Sequence, residues 1–440
     1  MAKKFIIGLD IGTSSIKGTM TTPDSSESYT GRVPFEYTCS DEGNVEISAE
    51  DYIEACFTLL RDFGAKLPEG AEIVAISAAS ASGNLLLLDG DGNPMTTISN
   101  WQDKRVTDEV TQVFGDFDTE KYYRSTGWAF DLKTFPLAML CWYKCHSPEV
   151  LSSCSKVCMS TEYLYYKLTG KWGIGKSAGT PFYLIDQVTG TYNTAVLEKL
   201  GIAEKKLPPI MKTGSILGEI TEEASRECGI PQGVPVVIGT FDHPSAARGV
   251  GVTKEGQLLL SCGTSWVGFY PVTEREKAIS AHMLVDPFLS ENGGPWAGMV
   301  SLTSFSAQIE YFTKTYVDNG DRWYKKLVEY SAESETGAGG LVINLMEDPD
   351  DAEIRKYEKK HIARAIMESV INMLADGMAR ITDAGIICNE AVMVGGPSEN
   401  PLWAELISEK LGIKVTVMHG SYAGAMGAVA LAGSAVGLSR

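Results

Sequence analysis

The sequence predicts a mixed α/β protein built from two similar halves, and three observations support this prediction. The chain has 440 residues, 44% of them hydrophobic, which is enough for two domains that each bury a core. Strand-like apolar segments alternate with helical patterns along the chain. One strand–turn–strand segment also occurs twice, about 250 residues apart.

The first elements can be placed in order. Phe5–Leu9 is a short apolar strand, and a second strand begins near Ser15. Ser48, followed by Ala-Glu-Asp, is typical of a helix N-terminus, and apolar residues recur at helical spacing up to Phe63. A further strand is predicted over 73–77.

The repeated segment is Leu9–Ile16, which aligns with Leu260–Val267 through a shared Gly-Thr-Ser turn. Two unrelated hairpins with the same turn residues are one explanation. The other is a duplicated domain whose two turns face each other across a cleft. On the second explanation the domains are residues 1–245 and 246–440, and the segment 239–251, rich in Gly and Ala, is a candidate hinge.

Composition excludes several classes of partner. A net charge of −18 argues against nucleic acid, whose phosphates require dense Lys and Arg. No segment approaches the ~20 apolar residues that a membrane span requires. The nine cysteines form no regular framework, which favours a reducing, cytoplasmic location. Cys141, Cys145, Cys154 and Cys158 have a spacing compatible with zinc, but buried thiols are the preferred explanation.

Each Gly-Thr-Ser turn is a candidate phosphate site. A tight turn between strands presents backbone N–H groups and hydroxyls in one direction, and glycine allows close approach. The first turn also carries a carboxylate that suits Mg²⁺, which prefers oxygen ligands, so Asp10 is the candidate metal ligand. The candidate phosphate-binding residues are Asp10, Gly12, Thr13, Ser14 and Lys17 in the first turn and Gly263, Thr264 and Ser265 in the second.

Asp242 is the candidate catalytic residue. It lies in a run of small residues near the predicted domain boundary, where a carboxylate can accept the proton of an attacking hydroxyl. The alternative is a helix N-cap, because Asp242 precedes Pro244 and a predicted helix. Residue type alone favours the cap, and both explanations can hold together.

Trp101, Asp103 and Arg105 combine an aromatic face, a carboxylate and a guanidinium, which suits a polyhydroxylated ligand. A helix start with charged solvent-facing residues is the simpler alternative. Gly395 and Gly396 follow a predicted strand and permit a flat ring to lie against the backbone, although a plain strand-to-helix connection explains them equally.

Residues 170–177 match the phosphate-loop pattern G-x-x-x-x-G-K-[ST] and include Lys176. That motif requires a buried strand before it and a helix after it. Here a helical pattern precedes it, and a turn and a strand are predicted to follow. A phosphate loop through Lys176 is therefore an unfavoured alternative.

Together these segments resemble the FGGY family of carbohydrate kinases, from Phe5 to the Ala- and Gly-rich segment 422–437. The resemblance implies two duplicated ribonuclease-H-like domains, the actin-like ATPase fold, with a cleft between them. The matched motifs are the two phosphate turns, the W-x-D-x-R element at Trp101, Asp103 and Arg105, the catalytic aspartate at Asp242, the adenine-side segment Gly395–Trp403 and the helix that contains His361–Glu368.

The resemblance implies transfer of the γ-phosphate of ATP to a hydroxyl of a small sugar or polyol. ATP would lie against Gly395, Gly396 and Asn400, with Mg²⁺ held by Asp10, and Asp242 would accept the proton. The acceptor would contact Ser82, Asn84, Trp101, Asp103 and Arg105.

Three departures from the family pattern leave the acceptor open. Met139 replaces a usual Lys, and the loop before His361 is short. Residues 77–84 lack both the Gln-Met-His of xylulose-type members and the Gln-Arg-Glu of glycerol-type members. A nucleotide-switched sensor on the same fold is the non-enzymatic alternative. A homodimer is compatible with the sequence, which contains no indication of oligomeric state.

Overall fold

The computed structural model describes residues 2–81, 83–130, 133–263, 266–302 and 305–438. The chain divides into two units. The first unit runs to Gly251 and takes in Val285–Gly293 and the chain from Tyr422 onward, and the second comprises Val252–Leu284 and Gly294–Ser421. The boundary predicted between residues 245 and 246 stays a prediction, and the two later segments of the first unit were not predicted.

Strands of the first unit are mostly short, and the longest ones belong to its main sheet. They are β1 (Lys4–Ile11), β2 (Ser15–Thr21), β3 (Ser28–Pro34), β4 (Thr38–Cys39), β5 (Val45–Ile47), β6 (Glu72–Ser80), β7 (Leu86–Leu88), β8 (Ile98–Ser99), β9 (Lys156–Cys158), β10 (Ile174–Gly175), β11 (Ile185–Asp186), β12 (Thr191–Tyr192), β13 (Ile210–Met211), β14 (Ile216–Glu219) and β15 (Pro235–Phe241).

The helices before residue 251 begin with the long α1, where the hydroxyl of Ser48 accepts the Asp51 N–H at 2.9 Å as the predicted cap. They are α1 (Ala49–Lys66), α2 (Glu109–Phe114), α3 (Thr119–Thr126), α4 (Pro136–His146), α5 (Pro148–Ser153), α6 (Ser160–Thr169), α7 (Lys176–Gly179), α8 (Thr194–Leu200), α9 (Glu222–Cys228) and α10 (Asp242–Gly249).

The remaining elements are strands β16 (Gly256–Cys262), β17 (Trp266–Val272), β18 (Leu284–Asp286), β19 (Trp296–Leu302), β20 (Cys388–Gly395) and β21 (Lys414–Val417), and helices α11 (Arg275–Ser280), α12 (Phe305–Tyr316), α13 (Trp323–Ala332), α14 (Asp351–Ile354), α15 (Lys359–Asp383), α16 (Pro401–Leu411) and α17 (Ala423–Ala435). Helix α17 belongs to the first unit, and β18 spans the point where the chain passes between the units.

The two units contain sheets of the same topology, which confirms the predicted duplication. The matching part is β3-β2-β1-β6-β15 in the first sheet, where β14 lies beside β15, and β19-β17-β16-β20-β21 in the second, where β18 lies beside β19. In each sheet the first three strands are antiparallel and the next two run parallel to the central strand. The repeated turns join β1 to β2 and β16 to β17.

The main core of the first unit lies between its sheet and α1. Apolar side chains of β1 (Phe5, Ile7 and Leu9) are fully buried and share a cluster with Leu60 and Phe63 of α1. Because successive side chains of a strand point to opposite faces, Ile6 of β1 packs instead with Val429 and Ala432 of α17. Helices therefore cover both faces of β1, which fixes the position of the turn that follows it.

Candidate active site

The β1–β2 hairpin places Asp10 and Lys17 directly opposite each other on paired strands. The hairpin closes where the Gly12 N–H donates to the Ser15 carbonyl at 3.0 Å. Opposite residues of an antiparallel pair project from the same face, so the carboxylate and the ammonium group are cross-strand neighbours. The structure therefore brings the predicted residues of the first phosphate turn together.

Asp10 lies in a crowded environment. A Cβ added at Gly424, in the first turn of α17, would lie 2.6 Å from the Asp10 Cγ and Oδ2 atoms, so the helix backbone packs against this carboxyl group. Burial, and next the negative charge of Asp242, raise the pKa of Asp10 to about 7, while Lys17 acts in the opposite direction. Two carboxyl groups, from Asp10 and Asp242, thus share one region of the first unit.

Asp242 lies at the same edge of the sheet as Asp10. Strands β1, β6 and β15 are mutually parallel, with Ile11 and Phe241 both opposite Ser80, so their carboxyl ends meet there. Asp242 is the first residue of α10, and Phe241 is the N-cap, so the expected N-cap role falls one residue earlier. The Asp242 Oδ1 accepts the His243 N–H at 2.7 Å. Its side chain is 28% exposed, which leaves a carboxylate accessible to a ligand.

A small pocket adjoins the first turn, and we call it the acceptor pocket because two of the predicted acceptor residues line it. Its lining residues are Ile11, Gly12, Thr13, Tyr37, Tyr52, Ser80, Ala81, Asn84, Asn100 and Trp101. Among the predicted ligand residues it contains Trp101, whose Nε1 donates to the Thr13 Oγ1 at 3.3 Å, and Asn84. The pocket therefore brings two predicted phosphate residues, Gly12 and Thr13, together with two predicted acceptor residues.

Asn84 is held by the start of α6. Its Nδ2 donates to the Ser160 Oγ at 3.0 Å, and its Oδ1 accepts the Ser160 N–H at 2.7 Å. An amide has two N–H donors and two acceptor lone pairs, so this side chain retains one of each for a ligand.

Asp103 and Arg105 do not line the acceptor pocket. The buried Asp103 carboxylate accepts the Val45 N–H at 2.9 Å and the Arg105 side chain at 2.6–3.1 Å. The Arg105 guanidinium also binds Glu46 and lies 5.3 Å from the centre of the Trp142 ring. The alternative of a helix start is wrong, because the next helix, α2, begins at Glu109.

Three residues of the pocket were missed by sequence reasoning: Tyr37, Tyr52 and Asn100. Tyr52 immediately precedes Ile53 in the apolar stripe of α1, where a tyrosine is indistinguishable from a core residue. Tyr37 and Asn100 occur in segments without regular patterning. None carries a local motif that would distinguish it.

The second unit brings Gly263 and the Gly-Gly segment close together. Cys262 pairs with Gly395 across β16 and β20, and a Cβ added at Gly395 would lie 2.2 Å from the Cys262 carbonyl oxygen. Gly396 has open space around it, and the Asn400 side chain caps α16 by accepting the Leu402 N–H at 2.9 Å. The predicted residues Thr264 and Ser265, and Ser82 of the first unit, lie outside the described residues.

Lys176 is not in a phosphate loop. The match begins at Gly170, the C-cap of α6, and the element before Lys176 is the two-residue β10. A helix of only four residues, α7, follows where a turn and a strand were expected. The Lys176 Nζ lies 3.6 Å from Glu291, an acidic neighbour that a phosphate site would disfavour.

A divalent cation fits the chemistry of Asp10. Within the part of the chain that the structure describes, no group of three or more His, Cys, Asp or Glu side chains is arranged to hold a metal ion. Mg²⁺ does not require such a group, since it is commonly bound by one or two carboxylates together with substrate phosphates. Asp10, with Asp242 nearby, is a donor set of that kind.

Comparison with known sequences gives the family. The FGGY family of carbohydrate kinases, N-terminal domain, matches residues 5–249, and its C-terminal domain matches residues 330–436. The chain belongs to the FGGY family of carbohydrate kinases. It is therefore an ATP-dependent kinase that phosphorylates a hydroxyl of a sugar or polyol, as the sequence predicted.

Relatives span nearly the whole chain. An autoinducer-2 kinase of Salmonella typhimurium is 24% identical over 99% of this chain and 86% of its own. The xylulose kinase of Rhodospirillum rubrum superposes with a TM-score of 0.88 at 22% identity, covering 98% of this chain and 90% of that one. A gluconate kinase of Lactobacillus acidophilus gives 0.84 at 20% identity, covering 99% and 90%. These structures confirm the predicted actin-like ATPase fold.

No described helix is both long and apolar enough to cross a membrane.

Proposed function

We propose that Asp242 is the general base of this kinase and accepts the proton of the attacking acceptor hydroxyl. The observation that carries the proposal is its position, at the carboxyl edge of the parallel strands with an accessible carboxylate. Phosphoryl transfer depends mainly on positioning and charge stabilisation, and a base aimed at the nucleophile is one of its recurring parts.

The residues proposed to contact ATP are given separately for each unit. In the first unit Gly12, Thr13, Ser14 and Lys17 bind phosphate oxygens. In the second unit Gly263, Thr264 and Ser265 bind phosphate, and Gly395, Gly396 and Asn400 contact adenine. The open space at Gly396 supports an approach of a flat ring to the backbone there.

Mg²⁺ is proposed to be held by Asp10, directly or through water. The ion would neutralise negative charge that develops on the β- and γ-phosphates during transfer. Burial and the charge of Asp242 raise the pKa of Asp10 to about 7, and a bound divalent cation would favour the ionised carboxylate.

The acceptor is proposed to contact Trp101 and Asn84, and Ser82 by its place in the sequence. Asp103 and Arg105 are proposed to hold the chain that follows Trp101 in place rather than to contact the acceptor, because they bind each other, Glu46 and the Val45 N–H. The names of the relatives suggest autoinducer-2, xylulose and gluconate as acceptors to test, with glycerol as the smallest polyol.

A cytoplasmic location is proposed, because all nine cysteines are unpaired in the structure, as in a reducing compartment. A homodimer stays an expectation.

The proposal is tested by ADP release in a coupled assay with a panel of acceptors. At least one acceptor should raise ADP release well above the hydrolysis background. The Asp242→Asn variant should lose about 10²–10⁴-fold in kcat, the usual contribution of a general base. Lys176→Ala is the matched control and should retain wild-type turnover.

Two outcomes would contradict the assignment. Full activity of Asp242→Asn together with loss of activity in Lys176→Ala would favour the phosphate-loop alternative. Failure of every acceptor to raise ADP release would favour a nucleotide-switched sensor.

A further inference from the structure

Among the residues that the structure describes, the lining of the acceptor pocket includes no charged side chain. Its polar lining groups are hydroxyls of serine, threonine and tyrosine and the two amides of Asn84 and Asn100, and the rest is apolar or backbone. Two cations of the first unit, Arg105 and Lys17, each have an acidic neighbour. Arg105 is bound by Asp103 and Glu46, and Lys17 faces Asp10 across the hairpin.

A carboxylate on the acceptor would be poorly accommodated here. It would lose hydration without gaining a cation, and it would lie in the same region as the carboxylates of Asp10 and Asp242. Burying a charge without a partner is costly, whereas hydroxyl groups can exchange hydrogen bonds with amides and other hydroxyls.

Tyr52 supplies an unusual group to the pocket. The residue is 1% exposed, and its hydroxyl is buried without a hydrogen-bond partner of normal geometry, although the Ser160 hydroxyl is near. Buried polar groups in native proteins are nearly always paired, so an unpaired hydroxyl beside a ligand pocket indicates a partner that arrives with the ligand.

The environment of Tyr52 fixes this hydroxyl in place. The Tyr52 ring packs against Phe35 in an edge contact with centroids 6.2 Å apart, and the residue belongs to the fully packed core beneath β1. On the same pocket, Asn84 is immobilised by its two hydrogen bonds to Ser160. Two rigid neutral groups therefore define the polar part of the wall.

We propose that Tyr52 is a specificity-determining residue whose hydroxyl hydrogen-bonds to the acceptor, and that the pocket selects neutral polyhydroxylated acceptors over sugar acids. The inference rests on the proposed function. It goes beyond it by naming the charge class of the acceptor and a binding residue outside the recognised motifs.

The test is Tyr52→Phe, which removes one oxygen and leaves the ring. KM for the best neutral acceptor should rise about tenfold, the effect of one hydrogen bond of about 1.4 kcal/mol, while kcat changes less than about twofold. Tm should stay the same or rise, because the buried unpaired hydroxyl is gone. Tyr163→Phe on α6 is the control, since Tyr163 does not line this pocket, and it should leave KM unchanged.

If Tyr52 has only a structural role, Tyr52→Phe should lower Tm and leave KM unchanged. That result would overturn the inference. A higher kcat/KM for gluconate than for every neutral acceptor would overturn the charge-class part while leaving the kinase assignment intact. Calorimetric binding of neutral acceptors to wild type and Tyr52→Phe, without ATP, keeps the inference testable if turnover fails. Equal affinities in that experiment would also overturn it.

Discussion

Asp10 and Asp242 illustrate how two carboxylates of one site acquire different properties. Asp10 is enclosed by α17 and by its neighbours on β1 and β2, and burial together with Asp242 raises its pKa to about 7. Asp242 is at the start of α10, 28% exposed. The first environment suits a group that awaits a cation, and the second suits a base that must meet a substrate.

Glu162 is a third unusual carboxyl group, fully buried in the first turn of α6. Its Oε2 accepts the Met159 N–H at 3.0 Å, while burial raises its pKa to about 8. The unfolded chain releases this proton near its ordinary pKa, so between that value and pH 8 the folded state binds more protons than the unfolded state. Stability therefore falls as pH rises through this window.

Glu162→Gln should remove this pH dependence, because glutamine resembles the protonated carboxyl group and retains an oxygen for the Met159 N–H. The variant and wild type should have similar Tm near pH 4.5. The Tm difference should grow as pH rises from 4.5 to about 8. At pH 8–9 the Tm of the variant should exceed that of wild type by several degrees. Differential scanning fluorimetry against pH measures this directly.

Glu223→Gln, on an exposed glutamate in the first turn of α9, is the control and should show no such divergence. A Tm difference for Glu162→Gln that is constant from pH 4.5 to 9 would show that Glu162 is not protonated in the folded protein at neutral pH.

At the scale of elements, close glycine contacts fix α10 and α17 against β1. A Cβ at Gly8 would lie 2.0 Å from the Ala425 carbonyl oxygen, and one at Gly427 would lie 1.8 Å from the Ser245 carbonyl oxygen. The Ser245 hydroxyl also donates to the Gly424 carbonyl at 2.8 Å. Since Ser245 is three residues after Asp242 on α10, this packing helps to set the position of the carboxylate that we propose as the general base.

Gly427→Ala should force these helices apart and destabilise the protein by about 1–3 kcal/mol, as overpacking in a core does. It should also lower kcat, because α10 carries Asp242. Gly377→Ala in α15 is the matched helical control, with no atom near the added Cβ, and it should be neutral or stabilising. Equal Tm for the two variants in thermal unfolding would contradict this packing account.

Elements that depend on neighbouring residues in the sequence could be predicted. Elements that depend on contacts between distant residues could not. The β1–β2 hairpin and the Ser48 cap follow from turn residues and a capping pattern. For the segment after Trp101, a helix start was the simpler prediction. The segment is irregular because the Asp103 carboxylate binds the Val45 N–H, a partner far away in the sequence. Tyr52 was missed for the same reason, since its role depends on residues brought together by the fold.

At the scale of the whole molecule, duplication was predictable because both copies retain the Gly-Thr-Ser turn between two apolar strands. The return of Val285–Gly293 and α17 to the first unit was not predictable. It depends on tertiary contacts such as the Ser177 hydroxyl with Asp286, at 2.9 Å. The family resemblance supplied the roles of single residues, which periodicity cannot give.

In the second unit, substitutions at Gly395 and Gly396 should have different effects, one on stability and the other on ATP binding. Gly395 has φ of 104° and almost touches Cys262, so Gly395→Ala should lower Tm. Gly396 has free space, so Gly396→Ala should leave Tm unchanged and raise KM for ATP about fivefold, a misfit of about 1 kcal/mol against the adenine. An unchanged KM for ATP in a well-folded Gly396→Ala would remove the adenine assignment.

Asp242 is proposed to accept the proton of the acceptor hydroxyl as this hydroxyl attacks the γ-phosphate of ATP. The most direct measurement is ³¹P NMR of the products formed from ATP, Mg²⁺ and the best acceptor of the panel. Wild type should yield a phosphate monoester of the acceptor together with ADP, and Asp242→Asn should yield it at least about 10²-fold more slowly. Inorganic phosphate as the sole phosphorylated product besides ADP, or an undiminished ester yield from Asp242→Asn, would contradict the account.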